Sequence, residues 1–226
     1  DVQDFVDGFG TLGRSLRANW HFRILPYRMK TAVLVTKTDH CLNEILWRAE
    51  LDELPIQITS IIGNRSNCRE VAERAGIPFH QIDMDGDQRG VGFAEIRRLI
   101  AAQDVELIVL ARFMQILPDD FCHDYTGRII NIHHSFLPAF IGANPYRQAY
   151  ERGVKLIGAT CHYVTGELDA GPIIEQEVDR VQHFHSPIDL VRLGRHCERV
   201  ALAKGIRFHV HDRTIIDGHR AIVFPD

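Results

Sequence analysis

Residues 105–110 read V-E-L-I-V-L, one charge in an otherwise apolar stretch. A strand with one wet face alternates polar and apolar residues. A run this apolar belongs to a strand covered on both faces. Residues 31–36, T-A-V-L-V-T, have the same character. Covering both faces takes helices on either side of a parallel sheet, joined by right-handed crossovers. This constraint puts the chain in the α/β class, with a mostly parallel central sheet.

The strand–helix rhythm holds as far as Tyr150. Leu42, Ile45, Leu46 and Ala49 recur at helical spacing, with Asp39 as the expected N-cap. Further strands are expected at 55–62, 78–82 and 128–132. Asn67, with Glu70 three positions on, resembles a capping box for a helix over 68–75, closed by Gly76. Phe93, Ile96, Leu99 and Ile100 form the apolar face of another helix, and Pro118 suits the first turn of a short one.

After Tyr150 the pattern changes. Residues 155–164 and 172–181 are long extended runs joined by a glycine-containing loop, which predicts an antiparallel pair. Ser186-Pro187 caps a long helix to about Phe208, and Asp217-Gly218 marks a final hairpin. At the other end, Val2, Phe5, Val6 and Phe9 have helical spacing, with a short extended run expected at 18–23. Elements that small cannot bury their own apolar faces. Residues 1–27 therefore read as the end of an N-terminal domain with its linker, and 28–226 as the main domain.

A length of 226 residues, 45% hydrophobic, is enough for one well-buried mixed domain and a small appendage. The formal net charge of -4 argues against a general nucleic-acid binder. No apolar run approaches the roughly 20 residues that span a bilayer. The five cysteines are dispersed, without a C-x-x-C pair, which fits reduced thiols in the cytoplasm. His183/His185 and His209/His211 form H-x-H pairs. On a strand such a pair shares a face and could hold a metal, but no third ligand is near, and surface histidines are the simpler reading.

The densest polar cluster follows the strand at 128–132: N-I-H-H-S-F-L-P-A-F-I-G-A-N-P-Y, residues 131–146. Ligands of open α/β sheets bind beyond the carboxyl ends of the strands. Asn131 and His133 alternate on an extended chain, so their side chains can converge. An amide can donate to a developing oxyanion, and an imidazole can transfer a proton near neutrality. On these two residues alone, a strand-end cap and a satisfied interior histidine remain equally open. Asp169, in T-G-E-L-D-A-G-P-I-I, is by itself an ordinary turn residue. Its interest is that a carboxylate could orient His133 or position a water. The loop at 36–41, T-K-T-D-H-C, has no glycine and is poorly built to cradle a phosphate, although Lys37 could make one contact. Residues 111–117, A-R-F-M-Q-I-L, read either as a hydrophobic junction or as an apolar slot for a flat heterocycle.

The run N-I-H-H-S-F-L-P-A-F-I-G-A-N-P-Y-R-Q-A-Y-E-R-G-V-K-L-I-G-A-T, followed by H-Y-V-T and L-D-A-G-P-I-I, resembles the formyltetrahydrofolate deformylase family. The wider resemblance, over about 28–226, is to folate-dependent formyltransferases, and residues 1–27 resemble the end of an ACT domain. The resemblance implies a Rossmann-like formyltransferase fold and a catalytic set of Asn131, His133 and Asp169. It implies a folate pocket formed by Met114, Gln115, Ile116 and Leu117 with Thr165, Gly166, Glu167 and Leu168. The implied reaction is hydrolysis of 10-formyltetrahydrofolate to tetrahydrofolate and formate, supplying formate for purine synthesis and balancing the one-carbon folate pool. No metal, cofactor or covalent intermediate is required. The implied partners are the folate substrate, other copies of the chain in a homo-oligomer and an amino-acid effector at the ACT domain, with no nucleic acid and no membrane. The rival is formyl transfer to an amine such as glycinamide ribonucleotide. The glycine-free loop and His134, where the transferases usually have Pro, argue against it. Asn144, Arg147 and His196 depart from the family pattern.

Overall fold

The computed structural model describes residues 2–18, 20–137 and 145–225. Its centre is a seven-stranded sheet in the order β3-β2-β1-β4-β5-β6-β7. Strands β1 (Met29–Val35), β2 (Ile56–Gly63), β3 (Phe79–Gln81), β4 (Leu107–Leu110) and β5 (Ile129–His133) pair in parallel. The two long runs after Tyr150 become β6 (Leu156–Tyr163) and β7 (Ile173–Arg180), each antiparallel to its neighbour, and they extend the same sheet. This is the Rossmann-like formyltransferase architecture, with a long helix and a short antiparallel hairpin at its C-terminal end.

The apolar runs form strands because both sheet faces are covered. Val33, Val35, Leu107 and Val109 pack on one side, in a core shared with α2 (His40–Glu50), α3 (Arg69–Arg74) and α7 (Pro187–Val210). Ala32, Leu34, Ile108 and Leu110 face the other side, against α4 (Gln88–Ala102) and α5 (Asp119–Asp124). Phe93, Ile96, Leu99 and Ile100 are buried there, as the helical spacing requires. Ser186 caps α7 through a full capping box with Asp189. Gly76 closes α3 at φ +67°, a left-handed position natural to glycine. The hairpin β8 (Thr214–Asp217) and β9 (Arg220–Val223) turns at Gly218.

Several local expectations fail. Among the described residues of 18–23 there is no strand. Trp20 and Phe22 instead pack edge-on against Phe9 of α1 (Val2–Ser15), with ring centroids 5.8 and 5.2 Å apart. Gly13 makes room for the indole, since a methyl there would lie 2.2 Å from Trp20 Nε1. Asn67 does not cap: residues Ser66–Cys68 wind into a 3-10 turn, and α3 starts after Cys68. Asp39 precedes α2 without a side-chain cap, because its carboxylate accepts from Asn43 Nδ2 at 3.0 Å. Pro118 stands just before α5 rather than in its first turn. Neither H-x-H pair lies on a strand. His209 is on α7, half-buried and at hydrogen-bond distance from Tyr163 (2.9 Å), and desolvation pushes its pKa down to about 4. Among the described residues no helix is long and apolar enough to cross a membrane.

Candidate active site

Antiparallel pairing of β5 with β6 sets Asn131 directly opposite His162, and His133 opposite Thr160. Directly opposed residues share a face and nearly touch. His162 Nδ1 lies 2.9 Å from the Tyr163 carbonyl, which can only accept, so Nδ1 carries the hydrogen. The other ring nitrogen, Nε2, then accepts from Asn131 Nδ2 at 3.1 Å. This bond orients the amide and leaves its second N–H free to donate.

Asp169 reaches the pair from the loop between β6 and β7. Its backbone is left-handed, φ +54°, which aspartate tolerates better than most residues. One carboxylate oxygen lies 3.2 Å from His133 Nδ1 and the other 3.6 Å from His162 Nε2. Burial opposes ionisation of Asp169, but the hydrogen bond from His133 outweighs it and holds the carboxyl well below the usual carboxylate range. Facing an ionised oxygen, His133 Nδ1 must carry its proton. His133 Nε2 is buried and has no hydrogen-bond partner among the described residues. Gly171 lets the loop close: a methyl there would sit 1.8 Å from the same Tyr163 carbonyl that anchors His162.

These side chains open into a cavity of about 270 Å³. Met114, Gln115, Ile116, Leu117, Thr165, Gly166 and Leu168 line it together with Asn131, His133 and Asp169. Of residues 111–117, Met114 and Ile116 stay more than half exposed at the edge of this cavity. Met114 N donates to Thr36 Oγ1 (2.9 Å), fixing that loop to the end of β1. Glu167 is exposed in the turn and does not line the cavity. Its carbonyl accepts from Thr165 Oγ1 at 3.2 Å.

Residues 29–206 match the formyl transferase family model. The formyltetrahydrofolate deformylase of Bacillus subtilis is 45% identical over 216 residues, 96% of this chain and 72% of that protein. The chain belongs to the formyltetrahydrofolate deformylase family. A crystal structure of a deformylase from Pseudomonas syringae pv. tomato superposes with a TM-score of 0.95 at 42% identity, covering 100% of this chain and 76% of that one. A phosphoribosylglycinamide formyltransferase from Anaplasma phagocytophilum is more distant, with a TM-score of 0.80 and 31% identity over 88% of this chain and 96% of that one.

In this deformylase-family chain a second polar cluster adjoins the cavity. Glu198 of α7 is 1% exposed. It lies 2.7 Å from His40 Nε2, accepts from the Tyr146 hydroxyl at 2.5 Å, and stands 3.4 Å from Arg112 Nε. Burial opposes its ionisation, but His40, Arg112 and Tyr146 together lower its pKa. The Tyr146 ring of α6 (Pro145–Arg152) sits in a notch at Gly194, where a methyl would come within 2.1 Å. His40, Cys41 and Glu198 have metal-ligand atoms within 4.8 Å of one another. The Glu198 oxygens are already engaged, and the Arg112 guanidinium would repel a cation. Removing one member of such a set strands the others. Glu198→Ala is expected to lower stability by about 3–5 kcal/mol, read as a fall in the urea midpoint.

His162 and Glu198 escaped the sequence reading, yet each left a signal. In G-A-T-C-H, Thr160 and His162 alternate with Ala159 and Cys161 along a strand buried from Ile157 to Tyr163. Glu198 continues the Leu190, Gly194 stripe of α7, a buried position for a charge. Arg147 is exposed and pairs with Glu151, and exposed His196 lies beside Arg199, so neither lines the cavity. Asn144 lies outside the described residues.

Proposed function

We propose that this chain hydrolyses 10-formyltetrahydrofolate to tetrahydrofolate and formate, with Asn131, His133 and Asp169 as the catalytic set. The observation that carries the reading is one cavity joining an apolar, exposed mouth at Met114, Ile116 and Leu168 to an oriented amide, an imidazole and an ionised carboxylate. The pterin enters the slot at 114–117, closed on the other side by Thr165, Gly166 and Leu168. Glu167 shapes the turn without touching the ligand. Water attacks the formyl carbon, and the carbonyl oxygen becomes an oxyanion. The free N–H of Asn131 and the Nε2–H of protonated His133 both donate to that oxyanion. Asp169 positions the water and relays its proton toward N10 as the C–N10 bond breaks. The scheme uses neither metal nor cofactor.

Water as acceptor is supported by the loop before α2. It contains no glycine, and the Asp39 carboxylate stands at the helix start, where a phosphate would need a donor. On the same reading the enzyme works in the cytoplasm as a homo-oligomer. Residues 1–27 are then the end of an ACT-like unit that binds an amino-acid effector. The test is a spectroscopic assay of 10-formyltetrahydrofolate with water as the sole acceptor. Stoichiometric formate is expected, and adding glycinamide ribonucleotide should leave its yield unchanged. Formyl transfer outrunning formate release would sink the hydrolytic reading.

A further inference from the structure

Behind the catalytic set lies a second cavity of about 160 Å³, walled by Thr38, His40, Arg112, His134, Arg195 and Glu198. Arg112 and His134 line both cavities, so the two lie side by side with these side chains between them. The lining of the second is polar and biased toward cations. Its carboxylate, Glu198, is taken up by His40 and Tyr146. Arg112 Nε is buried, faces Glu198 at 3.4 Å and makes no hydrogen bond among the described residues. Arg195 is exposed, with no ion-pair partner among the described residues.

Resting on the hydrolytic reading, we propose that this second cavity binds the formate product and passes it to solvent, with Arg112 and Arg195 as its anion contacts. In the hydrolysis the formyl carbon gains the water oxygen, the C–N10 bond breaks, N10 takes up one of the water's protons, and formate leaves as an anion with the other proton released to solvent. It is formed beside Asp169, an ionised carboxylate that repels it. The main cavity still holds tetrahydrofolate. The remaining direction leads past His134 to two guanidinium groups, which favour a small carboxylate. The cavity fits a three-atom anion and is too small for a folate.

The experiment uses formate itself on the full chain. Carbon-13 formate should show line broadening by the protein even with tetrahydrofolate saturating. In steady-state assays formate should inhibit noncompetitively against 10-formyltetrahydrofolate. Arg195→Gln should raise its inhibition constant about tenfold, as expected for loss of one charge-assisted contact, and Arg195→Lys should restore most of it. Formate competing with the folate, no broadening, or equal inhibition constants in wild type and Arg195→Gln would each overturn the proposal. Failure of the hydrolytic reading looks different, because 10-formyltetrahydrofolate would then yield no formate at all, whereas the binding experiment needs no turnover.

Discussion

Asp169→Asn should reduce kcat for formate release about 10³-fold, with KM changed by no more than about threefold, as expected for loss of a general acid–base group that acts mainly in the transition state. Asparagine has nearly the same shape and accepts the left-handed backbone at this position, φ +54°, so the loop should keep its course. What disappears is the negative charge. His133 Nδ1, at 3.2 Å, loses the charge that fixes its proton, and the relay toward N10 loses its carrier. Steady-state kinetics at saturating folate measures this directly, and an unchanged formate-release rate would remove Asp169 from the mechanism. Acid stability gives a second readout. The folded pKa of Asp169 is lowered, so its stabilising contribution is complete above the unfolded value of about 3.9 and is lost as pH falls through the folded one. Over that acid range the wild type should lose stability on acidification faster than the variant.

Asn131→Ala should cost about 10²–10³ in kcat, or about 3–4 kcal/mol of transition-state stabilisation, the usual effect of losing one oxyanion donor. The residue stands at the end of β5, one N–H already spent on His162 and the other aimed at the reacting oxygen in our mechanism. Binding of tetrahydrofolate should be nearly unaffected, because the apolar slot at 114–117 is untouched. Fluorescence titration separates the two quantities. A matching loss in folate affinity, with kcat intact, would make Asn131 a binding residue instead. Asn131→Asp should be at least as damaging, since it places a second carboxylate near Asp169.

The sheet was readable because its central strands carry no wet face. Two buried runs, at 31–36 and 105–110, force helices onto both sides, and everything to Tyr150 follows that rule. Asn131 and His133 were readable as a pair from strand alternation alone. Asp169 was not, since a turn aspartate beside Gly171 is common, and only the family resemblance joined it to them. His162 was invisible as a site member because its partner is set by cross-strand register, which no local pattern reports. Glu198 is farther away still. Its carboxylate meets His40 across 158 positions of sequence. Residues 18–23 were misread because Trp20 and Phe22 have strand propensity but find partners on α1 instead of on a neighbouring strand.

The direction of the sheet reverses between β5 and β6, and the site straddles that reversal. Asn131 and His133 belong to the parallel half, while His162 and Asp169 arrive only with the antiparallel half. A chain that has folded through β5 therefore holds half of its polar machinery and no ionised anchor for His133. On the proposed mechanism, such a chain becomes competent only when the second half of the sheet adds its edge. Any partly folded form lacking β6 and β7 is chemically silent toward its substrate, however complete its first domain-like core.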